Sequence, residues 1–425
     1  MRASSLKNDR RLSNARLYGW RVVLHESEED TRVYRDVAQS LRRAVNLHNL
    51  PFPGLSFRII SMEKVISTDS ETKEIRRQLL AWFAKSARDL PWRQTRDPYR
   101  IWVSEVMLQQ TRVATVVERY LQFTKRFPSL VSLALAREED VLALWSGLGY
   151  YKRARMLHSA AQLLVNEHGG SLPRSSIELR RLPGVGDYTA AAIASIAHGE
   201  PVAVVDGNVE RVIIRLLGME PSNSRLSATR LKEAASRLLD PVHPGAFNQA
   251  MMELGATVCL PRAPLCAICP VVDFCRTRGE HTARPRQQMV SRRINYAVIL
   301  RPLEEGKNQS EVFLVKRPAD ASQMPGMWEL PLLAAGEEEG REPILRVRHS
   351  ITNTNYYVAV FGMKETPICP EENGGAEQDW IPDRKLGEIP LTGLARKILM
   401  RLDVLARPRQ VRQGKALPGV EEEFV

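Results

Sequence analysis

The sequence of 425 residues contains only five cysteines, and it has no long run of apolar residues. A membrane-spanning helix needs roughly 18 or more consecutive apolar residues, so we exclude one. Disulfide-stabilised scaffolds are short and dense in cysteine, so this scarcity in a long chain favours a reducing environment. Hydrophobic residues make up 44% and charged residues 26% of the chain, as in ordinary globular proteins, which excludes wholesale disorder and a collagen-like structure.

Acidic residues are outnumbered by basic ones, because 61 Lys and Arg face 49 Asp and Glu, for a net charge of +12. Such an excess favours a polyanionic partner, although many basic proteins bind none. The length is about three times that of a typical single domain and therefore predicts two or three domains.

The apolar pattern divides the chain into regions. Residues 70–275 show helical spacing almost throughout, which predicts an all-helical bundle. Residues 276–292 are polar and basic, as in a linker, and residues 293–405 contain the β-branched and aromatic runs of an α+β domain. We expect residues 1–69 to be a poorly ordered extension, with Met62 as an alternative start, and residues 406–425 to be a tail.

Individual helices and strands are also predicted, and together they indicate a multi-domain protein with an α and an α+β domain. The helical stretches are residues 75–83, 101–120, 140–145, 156–166 and 190–197. The strands are residues 294–300, 311–316 and 355–361.

Four cysteines fall in one short segment, with six, two and five residues between successive members: Cys259, Cys266, Cys269 and Cys275. Four thiolates in one loop can enclose a metal centre, and sulfur ligands select zinc or an iron–sulfur cluster. Structural zinc usually brings two cysteine pairs of close spacing, and one such pair is present here. Cys369 lies far off in the sequence and is interpreted as a buried apolar thiol.

A glycine-containing turn, Leu182-Pro-Gly-Val-Gly-Asp-Tyr-Thr189, joins two helical stretches. Gly184 and Gly186 permit positive φ angles and leave backbone N–H groups pointing outward at the start of the next helix. Such a turn binds a phosphate without preference for a base, as in a helix–hairpin–helix element. The alternative is a plain tight turn between packed helices.

Glu105 lies on a predicted helix, one turn away from Ile101, Trp102, Leu108 and Gln109. A buried carboxyl group on such an apolar stripe is costly to ionise and tends to keep its proton, as a general acid requires. The alternative is a hydrogen-bonded core glutamate without a catalytic role.

A second acidic residue, Asp206, stands where an apolar run meets a new helix. Aspartate is favoured as a helix N-cap and can also face a cleft, so both roles stay open for Asp206 and Asn208. Two carboxyl groups in unequal surroundings are the minimum for cleaving a glycosidic bond. In a duplex the base must first be flipped out, and Gln109, Gln110 and Tyr150 are candidates to fill the space that it leaves.

Together these motifs resemble the helix–hairpin–helix DNA glycosylase superfamily, from residue 75 to about 275. Endonuclease III-like members carry a nucleophilic lysine two residues after the last hairpin glycine, where this chain has Tyr188. Three segments instead resemble MutY-type adenine DNA glycosylases: Leu90-Pro-Trp-Arg93, Trp102-Val-Ser-Glu-Val-Met-Leu-Gln-Gln-Thr111 and Trp145-Ser-Gly-Leu-Gly-Tyr-Tyr-Lys-Arg-Ala-Arg155. The chain also continues for 150 residues beyond the last of the four clustered cysteines, whereas endonuclease III-type chains stop soon after them.

The resemblance implies a monofunctional enzyme that removes adenine mispaired with 8-oxoguanine or guanine from double-stranded DNA, in base excision repair and without strong lyase activity. It implies that Glu105 protonates adenine N7 and later assists the water, and that Asp206 stabilises the sugar cation. Further implied roles are positioning by Tyr188 and Asn208, support of the catalytic glutamate by Arg93, wedging by Tyr150 and pressing near the flipped base by Gln110.

The same resemblance implies a [4Fe–4S] cluster held by the four clustered cysteines, and it favours iron–sulfur over zinc. Basic residues around it are expected to touch DNA phosphates, among them Arg262, Arg276 and Arg278.

Residues 293–405 resemble the Nudix-like C-terminal domain of these enzymes, with the landmark Gly326-Met-Trp-Glu-Leu-Pro331. The carboxylate-rich box of Nudix hydrolases does not follow it, so we interpret the domain as a reader of the oxidised guanine. The lesion-sensing loop of the family commonly reads Phe-Ser-His, and its counterpart here is Ile351-Thr352-Asn353, in which Thr352 keeps a hydroxyl group.

Two other functions remain as alternatives, an endonuclease III-like glycosylase and a catalytically silent DNA-binding protein. We expect a monomer that contacts no membrane, with residues 276–292 as a docking strip for replication or repair proteins. The expected compartment is the cytoplasm and nucleoid in a bacterium, or the nucleus or mitochondrion in a eukaryote.

Overall fold

The computed structural model describes residues 15–17, 20–22, 69–219, 225–279, 289–303, 309–321, 323–334, 336–351, 353–364 and 377–406. The chain divides into two units, Met1–Ser67 and Thr68–Val425. In the first unit the antiparallel strands β1 (Ala15–Leu17) and β2 (Trp20–Val22) pair with each other. Nearly all of the predicted N-terminal extension, most of the linker and the tail from 407 onward lie outside the described residues.

Residues 69–257 of the second unit are mostly helical. The helices are α1 (Asp69–Ser86), α2 (Pro98–Leu108), α3 (Val113–Arg126), α4 (Leu130–Ala134), α5 (Glu138–Trp145), α6 (Lys152–Glu167), α7 (Ser176–Leu179), α8 (Asp187–His198), α9 (Gly207–Leu217), α10 (Arg225–Leu238) and α11 (Pro244–Thr257). None of the helices in the described part of the chain is long and apolar enough to cross a lipid bilayer.

The predicted helical stretch at 101–120 is two helices in the structure, α2 and α3. Gln110, between them, has a left-handed backbone conformation with φ of 55°. A single residue in this conformation ends a helix without disturbing the apolar spacing on either side, so the prediction of one continuous stretch was wrong.

Helices α8 and α11 pack unusually closely, and this contact positions the side chains discussed below. A Cβ atom at Gly245, in the first turn of α11, would lie 2.6 Å from the carbonyl oxygen of Ser195 on α8. Asn248, also on α11, is buried and donates hydrogen bonds to Ser195 Oγ at 2.9 Å and to the carbonyl oxygen of Val202 at 2.9 Å. Its Oδ1 accepts from the amide of Val204 at 3.1 Å, so the segment that leads to Asp206 is held against α11.

The C-terminal region is a mixed sheet with one long helix in its described part. The six described strands are β3 (Val290–Pro302), β4 (Ser310–Lys316), β5 (Trp328–Glu329), β6 (Leu345–Ile351), β7 (Thr354–Met363) and β8 (Gln378–Pro382), and the helix is α12 (Gly393–Arg401). Strand order is β5-β4-β3-β7-β6, and β8 pairs with β4. Only β3 and β7 run parallel, since the other pairs are antiparallel.

Both faces of this sheet are buried, because alternate residues along a strand point to opposite faces. On β3, Tyr296 and Val298 belong to the core that α12 covers, whereas Ala297 and Ile299 belong to a second core on the other face. The chain therefore contains an all-helical region and a separate α+β region, as the sequence predicted.

Candidate active site

Glu105 lies in the middle of α2 and is only 5% exposed. Burial, assisted by the negative charge of Asp206, raises the pKa of this carboxyl group to about 7. A hydrogen bond from Tyr188 and the positive charge of Arg93 act in the opposite direction, to lower the pKa. Near neutral pH the group is therefore divided between its acid and base forms, as general acid–base work requires.

Tyr188 lies in the first turn of α8, directly after the glycine turn. Its hydroxyl group donates a hydrogen bond to Oε2 of Glu105 at 2.7 Å, and it also lies 3.3 Å from the sulfur of Met252 on α11. Burial, followed by the charge of Glu105, raises the pKa of Tyr188 well above its ordinary value. The tyrosine therefore keeps its proton and serves Glu105 as a fixed donor.

Asp206 is the N-cap residue of α9. Its Oδ1 accepts a hydrogen bond from the amide of Val209 at 2.7 Å, and its Oδ2 accepts from Nδ2 of Asn208 at 3.1 Å. The charge of Asp206 also acts on the pKa of both Glu105 and Tyr188, which means that the three groups lie within electrostatic range of one another. The capping role and a place beside Glu105 are thus combined in one side chain.

Asn208 is itself held by a chain of contacts that reaches the cysteine segment. Nη2 of Arg211 donates to Oδ1 of Asn208 at 2.9 Å, and Nε of Arg211 donates to the carbonyl oxygen of Cys259 at 2.8 Å. A Cβ atom at Gly255 would lie 2.7 Å from Cβ of Asn208, so only glycine allows this approach of α11 to α9.

The two glycines of the hairpin differ in backbone conformation and in the space available for a side chain. Gly184 has φ of 75°, and a Cβ atom there would lie 2.7 Å from Cβ of Met156. Gly186 has an extended backbone and caps α8, and no atom lies within 4 Å of a Cβ built on it. The steric need for glycine is therefore confined to Gly184, although both residues are exposed at the turn.

The three side chains predicted to enter the duplex lie on two loops that Arg153 ties together. Nη1 of Arg153 donates to carbonyl oxygens at the end of α2, including that of Val106 at 2.7 Å, and Nη2 donates to the carbonyl oxygen of Gly149 at 3.1 Å. Gln110 and Tyr150 are exposed and both have positive φ, whereas Gln109 turns inward and donates to Thr189 Oγ1 at 3.0 Å. Thr352 lies outside the described residues.

The four clustered cysteines lie against the end of α9 and the start of the linker. Burial, assisted by the other three sulfurs, raises the pKa of Cys269 to about 11, so the other three cysteines lie near Cys269. Within the described residues, no three Cys, His, Asp or Glu side chains are arranged to hold a metal ion.

The donor set and its surroundings nevertheless fit a sulfur-ligated group. The buried guanidinium of Arg215 lies 3.4 Å from Sγ of Cys259, and its Nε has no hydrogen-bond partner in the described part of the chain. Such a cation can balance the negative charge of metal-bound thiolates.

Several known proteins are similar to this chain. Residues 103–237 match the family model described as "HhH-GPD superfamily base excision DNA repair protein". An adenine DNA glycosylase of Schizosaccharomyces pombe is 32% identical over 330 residues, which cover 64% of this chain and 72% of the yeast protein. The chain belongs to the adenine DNA glycosylase family.

Other known proteins are similar to this adenine DNA glycosylase family member over only part of the chain. The human adenine DNA glycosylase is 50% identical over 220 residues, covering 49% of this chain and 40% of the human protein. The chain thus spans less than half the length of this relative. A solved structure of a thermostable thymine-DNA glycosylase is 31% identical, with a TM-score of 0.47, over 49% of this chain and 97% of that one.

The sequence interpretation of this family member missed two residues beside the site, Glu253 and Arg88. Glu253 is a buried carboxylate on α11 that pairs with Arg93 and Arg88. The signal was available, because Glu253 stands on an apolar helix just as Glu105 does. Its partners are about 160 residues away in sequence, so only folding brings the three together.

Proposed function

We propose that the protein hydrolyses the N-glycosidic bond of adenine mispaired with 8-oxoguanine or guanine in double-stranded DNA. The observation that carries this proposal is the buried Glu105, which accepts a hydrogen bond from Tyr188 and lies within range of Asp206. Two carboxyl groups of unequal environment provide an acid and an anion for a reaction with an oxocarbenium-like transition state.

The steps follow from the state of each group. Protonated Glu105 donates its proton to N7 of the flipped adenine, so the base leaves as a neutral molecule. The carboxylate of Asp206, held by Val209 and Asn208, faces the positive charge that develops on the sugar. Ionised Glu105 then accepts a proton from the water that attacks C1′, which restores the starting state.

Absence of lyase activity is part of the proposal. The hairpin position of the lyase lysine holds Tyr188, whose burial and pairing keep its phenol protonated. Tyr188 has no amine, so it cannot form a Schiff base with C1′, and the abasic product should leave the site with its strand intact.

DNA contacts are assigned to the hairpin and to the two loops that Arg153 joins. Gly184 and Gly186 offer backbone amides to a phosphate at the start of α8. The exposed Gln110 and Tyr150 fill the space of the flipped base and wedge beside its partner, while Gln109 supports α8 from within. Among the basic residues around the cysteine segment, the exposed Arg262, Arg276 and Arg278 contact further phosphates.

A [4Fe–4S] cluster is proposed for the cysteine segment, with Cys259, Cys266, Cys269 and Cys275 as its ligands. When bound, the cluster supplies a covalent anchor for this loop. Arg215 would face the sulfur of Cys259, and Arg211 joins the carbonyl of the same cysteine to Asn208. The loop and the active site are therefore connected by this chain's own side chains.

The C-terminal sheet is proposed as a Nudix-like domain that reads the oxidised guanine. Its landmark segment is anchored by buried Trp328 and by an ion pair of 2.7 Å between Arg317 and buried Glu329. Because Glu329 is paired with Arg317 and the sequence has no Nudix box, pyrophosphate hydrolysis is not proposed. The contribution of Thr352 stays a prediction.

One assay tests the function. The protein is incubated with a duplex that carries adenine opposite 8-oxoguanine, and the products are separated with and without alkali. We expect strand scission only after alkali, because a monofunctional glycosylase leaves an abasic site. Scission without alkali would indicate an endonuclease III-like lyase. If the protein binds the duplex but no scission follows even after alkali, it would be a catalytically silent DNA-binding protein. Glu105→Gln should abolish release and retain DNA binding.

A further inference from the structure

Glu253 is a fully buried carboxylate that the proposed reaction does not use. Its side chain is 1% exposed and lies on α11, next to Met252, whose sulfur contacts the hydroxyl group of Tyr188. Buried carboxylates are costly unless they are paired and hydrogen-bonded. The identity of its partners therefore decides what this residue does.

Two arginines converge on Glu253. Arg88 donates from Nε to Oε1 at 2.7 Å and from Nη2 to Oε2 at 2.7 Å, and its backbone amide donates to Oε1 at 3.2 Å. Arg93 donates from Nη2 to Oε2 at 2.7 Å. Burial acts to raise the pKa of Glu253, but the hydrogen bonds from Arg88 and Arg93 outweigh it and hold the pKa at about 2. The carboxylate is thus ionised throughout the functional pH range.

Arg93 is fixed on three sides. Besides its bond to Glu253, its Nη1 donates to the carbonyl oxygen of Arg88 at 3.0 Å, and its guanidinium carbon lies 5.2 Å from the ring centre of Phe83. Its positive charge nevertheless reaches Glu105, whose pKa it lowers. A cation that moved from Glu253 into a direct pair with Glu105 would keep the acid ionised and unable to donate a proton.

The charged and titratable groups around Glu105 come from four elements. Tyr188 faces it from α8, Asp206 from the start of α9 and Arg93 from the short turn Pro91–Arg93. Arg153 on α6 donates to the backbone carbonyls of Val106 and Met107, at the end of the same helix. Among the described residues that act on the pKa of Glu105, Arg93 is the positively charged one, so its placement affects the protonation of this acid directly.

We propose that Glu253 is a positioning residue of adenine excision, which holds Arg93 near Glu105 without allowing the two to form an ion pair. This inference rests on the proposed function, because it assigns Glu105 as the acid. It predicts that the loss of the Glu253 charge lowers the pKa of Glu105, so that less of this carboxyl group carries a proton at neutral and higher pH.

The test is Glu253→Gln in the full-length protein, with single-turnover adenine release from the adenine:8-oxoguanine duplex measured between pH 5 and pH 9. In the wild type, release should fall as pH rises through about 7, where Glu105 loses its proton. In the variant the midpoint of this fall should move down by about one pH unit or more, since an opposite charge in contact lowers a carboxyl pKa by about 1–3 units. Release at pH 8 should drop about tenfold, while release at pH 5 should stay within about threefold of the wild type.

Arg88→Met is the matched control, because it removes a partner from the same buried network and leaves Arg93 paired with Glu253. Its midpoint should equal that of the wild type. The double variant Glu253→Gln/Arg93→Met should return the midpoint to the wild-type value or above. Thermal melting and DNA binding are measured for each variant to check that it is folded.

Two outcomes overturn the inference: a Glu253→Gln profile lowered equally at every pH, or an Arg88→Met midpoint that shifts as far as that of Glu253→Gln. If Glu253→Gln does not fold, Glu253→Asp replaces it; its shorter arm should give a smaller downward shift, and an unchanged midpoint would again refute the role. Failure of the wild type to release adenine would instead refute the proposed function.

Discussion

The hydroxyl group of Tyr188 donates a hydrogen bond of 2.7 Å to Oε2 of Glu105, across 83 positions of the sequence. This contact joins the glycine turn to the proposed acid, since Tyr188 follows Gly186 by two residues. In the proposed function, this side chain would connect a phosphate bound at the turn with the base presented to Glu105.

Tyr188→Phe should move the basic limb of the excision profile to higher pH. The hydrogen bond from Tyr188 lowers the pKa of Glu105, so its loss raises that pKa, by on the order of one unit. Release at pH 6 should also slow, by roughly tenfold, because the carboxyl group loses its orientation. Single-turnover kinetics from pH 5 to pH 9 measure both effects, and a limb that moved to lower pH would contradict this account.

Glu105→Gln should stabilise the protein at alkaline pH. The pKa of Glu105 is raised from 4.5 to about 7 in the folded state, so the folded protein binds more protons than the unfolded one between these values. Stability from this group is therefore lost as pH rises through that window, by at most about 3 kcal/mol. Urea unfolding at pH 8 should favour the variant, and the advantage should vanish near pH 4.

The control for this effect is Glu167→Gln, at an exposed position at the end of α6. It should change the unfolding free energy equally at both pH values. A Glu105→Gln variant that is less stable than the wild type at pH 8 would contradict a raised pKa of Glu105 in the folded state.

Gly184→Ala should weaken both the fold and DNA binding. A Cβ atom there meets Met156 at 2.7 Å, and φ of 75° is strained for any residue with a side chain, at a cost of about 1–3 kcal/mol. Gly186→Ala is the matched comparison, since its backbone is extended and its Cβ would meet no atom within 4 Å. Thermal melting should separate the two variants, and anisotropy with an undamaged duplex should show weaker binding for Gly184→Ala alone.

Ser146→Ala should loosen the contact between the helical region and the C-terminal sheet. Nε of Arg396 on α12 donates to Ser146 Oγ at 2.7 Å, and the hydroxyl groups of Ser146 and Tyr151 both donate to the carbonyl oxygen of Leu391. The substitution leaves a buried guanidinium short of an acceptor, at a cost of about 1–3 kcal/mol. The loop that carries Tyr150 lies between these anchors, so excision should slow as well.

Arg137→Ala is the control for the interdomain contact, because it removes a salt bridge to Asp140 from a side chain that is 74% exposed. Its melting temperature should not change. Equal melting temperatures for Ser146→Ala and the wild type would show that the Arg396 contact adds nothing to stability.

The helices were largely predictable, since a helix depends on local apolar spacing. The break at Gln110 and the short strands β5 and β8 were not, because a left-handed residue and a strand of two to five residues leave little periodic signal. The helix α12 was missed for a related reason, because its nine residues are too few to give a clear periodic signal.

The candidate site divides in the same way. Glu105 was found because a carboxyl group on an apolar stripe is unusual within a short window of sequence. Glu253 lies on a comparable apolar stripe, but its role depends on its contacts with Arg88 and Arg93. These two arginines are about 160 residues away in the sequence, so the role could not be predicted from nearby residues.

Residue order alone determined which groups are present: a sheltered acid, an aspartate that caps a helix, a tyrosine in place of an amine, and four neighbouring thiols. Only the tertiary structure decided which of them touch, and therefore which protons they hold. Acidity depends on burial and on charges a few ångströms away, and those neighbours come from distant segments that meet only when the helices pack.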